Sequence, residues 1–142
     1  MLKKNEMEIQ FASQSVNEGL ARTAVSAFFS QLDPTVETLY DIKMAVSEAV
    51  TNCIIHAYEG NGEGKITIKC AYEDDTISVE IIDQGKGIAD VEEAMTALYT
   101  TSDDEDRAGL GFTVMQSMMD EVFVESKVGE GTSVKMKKSL GN

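Results

Sequence analysis

One proline, two cysteines, one histidine and no tryptophan occur in the 142 residues. No apolar run approaches the roughly 20 residues that a membrane-spanning helix requires. With only Cys53 and Cys70, both in apolar settings, a disulfide framework is not expected, and the two read as buried thiols in a reducing cytoplasm. The start, MLKKNEMEIQF, has lysines but no apolar segment behind them, so no secretory signal is expected. Basic residues are scarce as well. Twelve Lys and Arg stand against 25 Asp and Glu, a net charge of −13. That field disfavours nucleic acid and anionic membrane surfaces. It also requires any phosphate-bearing ligand to be met by a local positive site, built from helix N-termini, a metal ion or a few basic side chains.

What is present suits a soluble globular chain: 42% hydrophobic and 26% charged residues, with no repeat, low-complexity stretch or linker. The length suits one domain, residues 1–142, large enough to bury a core without staples. MEIQF alternates as a first strand. Ser15 and Glu18 form an S-x-x-E capping box opening a helix to about Leu32, with Val16, Leu20, Ala24, Ala27 and Phe28 as its apolar face. Asp33 and Pro34 open a second helix to about Tyr58, with Leu39, Ile42, Val46, Ala49 and Cys53 as its core stripe. KITIKCAYE and TISVEIID follow as a hairpin, then a glycine loop (84–88), a short helix over about 90–98 and the polar stretch TTSDDEDRA. GLGFTVMQSMMD reads as glycines leading into a helix whose methionines fill core. EVFVESK and TSVKMKK close the chain as a hairpin turned by VGEG. The sum predicts an α/β two-layer sandwich, a mostly antiparallel mixed sheet with helices packed on one face.

On the second helix, Glu48, Asn52 and His56 are spaced four apart and fall within roughly 80° of one another, beside the core stripe. Such a stripe is either a solvated edge or the border of a cleft. Cys53-x-x-His56 has no second pair of ligands, so structural zinc is not indicated. DQGKGI (83–88) follows a strand, and Asp83 at the strand end can accept a hydrogen bond from an exocyclic amine. Gly85 and Gly87 keep side chains out of a ligand's way. Gly109 and Gly111 in GLGF, before a helix, suit a phosphate cradle of free N–H groups. Taken singly, each motif also fits a tight turn. A Walker A ending is absent, and so is the third glycine of a dinucleotide fingerprint.

The order of E-x-x-x-N on a helix, D-x-G-x-G-I after a strand and G-x-G-F before a helix resembles the ATP-binding superfamily of gyrase, heat-shock chaperones, histidine kinases and MutL. FASQSVNEGLARTAVSAFFSQLDPT, SEAVTNCIIHAY, LYTTSDDEDRAGLGFTVM and DEVFVESKVGEGTSV resemble the anti-sigma-F factors of endospore-forming bacteria over nearly the whole chain. The resemblance implies a Bergerat-type ATP-binding fold, a sigma-sequestering protein and a serine kinase acting on an anti-anti-sigma factor, with ATP/ADP and Mg²⁺ as ligands.

It further implies Glu48 as the base at the acceptor hydroxyl and Asn52 as the Mg²⁺ ligand. Asp83, with Thr132, would read the adenine amine, and Gly109 and Gly111 would hold the phosphates. His56 is read as packing or hydrogen bonding at the cleft edge. Residues 89–108 would close over ATP, with Arg107, or else Lys86, at the γ-phosphate. Its SDDEDR segment departs from the family's more basic lid. Glu18 and Arg22 can form an i,i+4 ion pair; the family places them on the surface that meets both protein partners, in a homodimer. Two other readings stay open. One is the general-stress anti-sigma-B type kinase; the other is an ATP-gated sigma-binding module without transfer activity. A detached histidine-kinase domain would need a phosphoacceptor-histidine helix, and the single histidine lies inside the nucleotide motif.

Overall fold

A computed structural model describes residues 3–95 and 103–140; the side chains of 103–110 lie outside that description. Five strands, β1 (Lys4–Ala12), β2 (Lys65–Glu73), β3 (Thr76–Asp83), β4 (Glu121–Lys127) and β5 (Gly131–Ser139), form one sheet in the order β1-β2-β3-β5-β4. Every pairing is antiparallel, so the expected mixed character is absent. Hairpins supply β2–β3 and β4–β5, and a two-residue turn with Asp74 in the left-handed region joins the first pair.

Register fixes the two faces, because successive side chains point to opposite sides. Ile9, Ile68, Ile81, Val134 and Val124 align across all five strands on the helix-covered face. The neighbouring row on the open face is Glu8, Lys69, Glu80, Lys135 and Phe123, four alternating charges and one exposed aromatic. The helices α1 (Asn17–Phe29), α2 (Val36–Asn52), α3 (Val91–Met95) and α4 (Asp103–Met118) complete the second layer, with α2 packed between α1 and α4. The α/β two-layer reading therefore holds. Met115 and Met119 are buried and Met118 packs on the core, as expected for the methionine-rich stretch.

Four local readings need correction. The Ser15–Glu18 capping box does not form; Val16 occupies the cap position of α1 without a side-chain bond. Glu18 instead accepts from the Ser47 hydroxyl and lies 3.7 Å from Arg22 Nε, so α2 takes the carboxylate the cap would have used. The apolar face of α1 is also turned. Ala21, Val25, Phe28 and Phe29 are buried, whereas Val16 and Leu20 are 74% and 59% exposed. Alanines at 21, 24 and 27 fit either side of the helix, so packing against α2 chooses the face. Thr35, not Asp33, caps α2, its hydroxyl accepting from Thr38 N at 3.1 Å; Pro34 therefore precedes the helix. Asp33 ends a short 3₁₀ turn (Ser30–Leu32) in the left-handed region.

The last correction concerns α4. It begins at Asp103, six residues ahead of Gly109, so both Gly109 and Gly111 lie within the helix and not at its entry. Asp103, Asp104, Glu105 and Asp106 sit at the positive end of the helix dipole, which favours an early start. Buried Phe112, Met115 and Met119 hold the rest against α2 and the sheet. The cost of glycines inside a helix is about 1 kcal/mol each, small beside that burial. Of the expected short helix over 90–98, Val91–Met95 is helical, capped by Asp90 accepting from Glu93 N at 3.0 Å; residues 96–98 lie outside the described residues.

Candidate functional site

The second helix does continue past Asn52, but as a π-helical turn, Cys53–Ala57. Tyr58 N reaches back to Cys53 O at 3.1 Å. Widened turns of this kind are uncommon and cluster at functional sites. Here the turn presents the Ala57 carbonyl to the glycine loop, and Lys86 N donates to it at 3.1 Å. Tyr58, the next residue, has its hydroxyl donating to Lys65 O and accepting from Gln84 N, each at 2.6 Å. One side chain thus ties the start of β2 to the end of β3.

Glycines in the loop are required by protein backbone. A Cβ on Gly85 would overlap the Ala57 carbonyl, and one on Gly87 would overlap the Lys127 carbonyl; Gly87 also has φ +77°. The sequence reading, that these positions make room for a ligand, assigns them the wrong neighbour: they make room for the π turn and the β4–β5 turn. Gly129 N donates to Lys86 O at 2.8 Å, closing the same contact. Gly87→Ala is expected to lower stability by about 2–5 kcal/mol, combining left-handed strain with overpacking. Thermal unfolding checks it: a change in nucleotide affinity with an unmoved melting temperature would contradict this origin.

Asp83 ends β3 in a cross-strand row whose neighbours are Phe11, Ile66, Thr132 and Ser126, all on the helix-facing side. The apolar rows of the sheet give way there to three polar residues. Asp83 is buried; its Oδ1 accepts from Gly85 N at 2.9 Å and Thr132 N at 3.2 Å, and its Oδ2 faces Cys53 Sγ at 3.4 Å. Burial pushes the Asp83 carboxyl above its usual range, opposed by the bonds from Gly85, Cys53 and Thr132. Burial likewise raises Cys53 well above its ordinary value, so it stays a thiol. Ser126, not singled out from sequence, accepts from Ile88 N at 2.7 Å and lies 2.8 Å from Thr132 Oγ1. It links the row to the loop. Only the pairing register could have revealed it.

A cavity of about 880 Å³ opens over this row, walled by Asn52, His56, Asp83, Lys86, Gly87 and Thr132 among others. The volume suits a small organic ligand. Both side-chain heteroatoms of Asn52, Oδ1 and Nδ2, are buried without a hydrogen-bond partner among the described residues. Buried amides are normally satisfied, so this pair fits a polar ligand or a cation. Gly111 faces it: a Cβ there would stand 3.0 Å from Asn52 Nδ2, 3.2 Å from Oδ1 and 3.3 Å from Glu48 Oε2. The absent side chain keeps the space beside Glu48 and Asn52 open. Lys86, on the rim, is 3.8 Å from Glu59 Oε1, both well exposed. Gly109 is helical, and the Arg107 side chain lies outside the described residues. Asn52, His56, Asp83, Lys86 and Thr132 thus line one cavity, and Glu48 and Gly111 stand beside Asn52. Glu18 and Arg22 form a separate surface on α1 beside exposed Val16 and Leu20.

The family model of the histidine kinase-like ATPase domain matches residues 11–138. The chain is 61% identical to the anti-sigma F factor of Caldanaerobacter subterraneus subsp. tengcongensis over 137 residues, covering 96% of this chain and 95% of that protein. The chain belongs to the anti-sigma F factor family. The anti-sigma F factor of Clostridium acetobutylicum is 52% identical over 137 residues, covering 96% of this chain and 95% of the relative. Among solved structures, the RsbU and RsbW domains of a Mycobacterium tuberculosis protein superpose with a TM-score of 0.69 at 17% identity, over 95% of this chain and 32% of that one. The catalytic domain of the histidine kinase ThkA gives 0.58 at 15%, over 94% of this chain and 95% of that domain. At such identities the likeness concerns the fold, and the sheet with helices on one face is the histidine kinase-like ATPase fold. Among the described residues, no helix is long and apolar enough to cross a membrane.

Proposed function

We propose that this anti-sigma factor holds a sporulation sigma factor of the F type while ATP-bound, in the cytoplasm and as a homodimer. We further propose that it is a serine kinase which inactivates the anti-anti-sigma factor competing for the same surface. The observation that carries the nucleotide part is the orphaned Asn52 amide, standing beside side-chain-free Gly111 and Glu48 in the wall of a cavity that Asp83 also lines. In this reading Asp83 Oδ2 accepts from the adenine amine, with Thr132 beside it. Gly85 and Gly87 hold the loop that shapes the base pocket, and Gly109 and Gly111 leave room for the phosphates. Asn52 Oδ1 would hold Mg²⁺, which would neutralise phosphate charge that this acidic protein cannot offset alone.

Transfer then asks two things of the chain. Glu48 accepts the proton of the partner's serine hydroxyl while that oxygen bonds to the γ-phosphorus and the bond to the β-phosphate oxygen breaks, leaving ADP. Arg107, or Lys86 from the rim, offsets charge on the transferring group. The partner meets α1, where Arg22 and Glu18 border Val16 and Leu20. Interface cores are more apolar than the rest of a surface and are enriched in arginine, and this patch supplies both. Four acids at the start of α4 favour the second reading, an ATP-gated module without transfer, because they oppose phosphate on approach.

Incubating the protein with Mg²⁺, γ-labelled ATP and a candidate anti-anti-sigma protein decides between them. Label on a partner serine is the expected result. ATP-dependent sigma binding with no label on any partner would leave the binding module, and no ATP binding at all would end both.

A further inference from the structure

The Asp83 carboxylate is held asymmetrically. Oδ1 takes two backbone N–H groups, from Gly85 and Thr132, and so is fixed against the ends of β3 and β5. Among the described residues, Oδ2 has one hydrogen-bond partner, the Cys53 thiol of the π turn at 3.4 Å. Cys53 is 4% exposed, and both residues line the cavity. A carboxylate oxygen has two acceptor sites. Cys53 occupies one on Oδ2, which leaves the second for a donor in the cavity both residues line. We infer that Cys53 is a specificity-determining residue, whose thiol holds Asp83 Oδ2 as an acceptor, so that the cavity takes purines with a 6-amino group and turns away those with a 6-oxo group.

This rests on the nucleotide reading of the cavity and goes one step into its chemistry. An ionised Oδ2 pairs with an amine and repels a carbonyl. A protonated Oδ2 would donate to a carbonyl instead. Burial pulls Asp83 towards the protonated form, and the bonds from Gly85 and Thr132 to Oδ1 and from Cys53 to Oδ2 oppose it. Among the described residues, the thiol is the group bonded to Oδ2 itself, the oxygen left to face a ligand. The other titratable neighbour, Tyr58, directs its hydroxyl to Lys65 O and Gln84 N. Thr132 on β5 carries no charge, and Lys86 on the rim is engaged with Glu59. A thiol suits the task because it is a small side chain with a weak S–H donor.

The test is calorimetric affinity for ATP and for inosine triphosphate, which differ at purine position 6, in the unaltered chain, Cys53→Ala and Cys53→Ser. The unaltered chain should prefer ATP. Cys53→Ala should narrow that preference roughly five- to tenfold, the loss of one modest hydrogen bond, and Cys53→Ser, which restores a donor, should recover most of it. An unchanged preference in Cys53→Ala overturns the inference alone; binding of neither nucleotide by the unaltered chain overturns the nucleotide reading and the inference together. The infrared S–H stretch of the unaltered chain gives a readout without substitution. ATP should move the Cys53 band while the Cys70 band stays put, and a Cys53 band indifferent to ATP counts against the inference.

Discussion

Glu48→Gln should lower phosphoryl transfer to the anti-anti-sigma partner by about 10²- to 10⁴-fold, the range for removing a general base, while ATP affinity changes less than roughly threefold. The split follows from position. Glu48 stands beside Gly111 and the Asn52 amide, whereas the group proposed to read the base is Asp83, with Thr132 donating to it. Glutamine keeps the shape and hydrogen-bonding reach of glutamate but cannot accept a proton at neutral pH. A single-turnover assay with saturating ATP measures the first number, and equilibrium titration the second. Full transfer by the glutamine variant would move the base elsewhere. A large loss of ATP affinity would show instead that Glu48 acts through nucleotide binding.

The second large effect is expected at Asp83. Gly85 N and Thr132 N both donate to Oδ1, so in Asp83→Asn the amide oxygen must occupy that position. The –NH₂ group then takes the place of Oδ2 and faces the cavity as a donor. ATP should lose the charge-assisted bond to its 6-amino group, about 1.5–3 kcal/mol, roughly a 10- to 150-fold weaker affinity. Inosine triphosphate should gain, because its 6-oxo group now meets a donor. The variant should therefore reverse the base preference and not merely bind weakly. Titrating both nucleotides checks this. Equal losses for both would mean that the substitution disturbs the row Ile66–Asp83–Thr132–Ser126 and not the reading of the base.

Much of the architecture was legible because it follows from short-range periodicity. Alternation along KITIKCAYE and TISVEIID sets which side chains face the helices, and the structure buries Ile66, Ile68, Cys70, Ile77, Val79 and Ile81 accordingly. The stripe of α2 holds for four of its five positions: Ile42, Val46, Ala49 and Cys53 are buried, while Leu39 is only partly buried against the core. Helix ends were less legible, since several residues compete to cap and tertiary partners choose among them. Glu18 could have closed a capping box, but Ser47 and Arg22 take it. The acidic run at 103–106 belongs, in sequence, to a polar stretch ahead of the glycines, and helix α4 absorbs it together with both glycines.

The candidate site divides along the same line. Sequence alone determined that Glu48 and Asn52 share a helix edge, that Asp83 ends a strand, and that glycines follow it, because each is a statement about neighbours along the chain. Tertiary structure decided what those residues touch. Only the strand register sets Thr132 and Ser126 beside Asp83. Only the π turn brings Cys53 Sγ to Oδ2 and the Ala57 carbonyl to Lys86 N. The reason is physical: a side chain's partner, and hence which of its atoms remains free for a ligand, depends on contacts between segments about 30 and more residues apart, which no local pattern encodes.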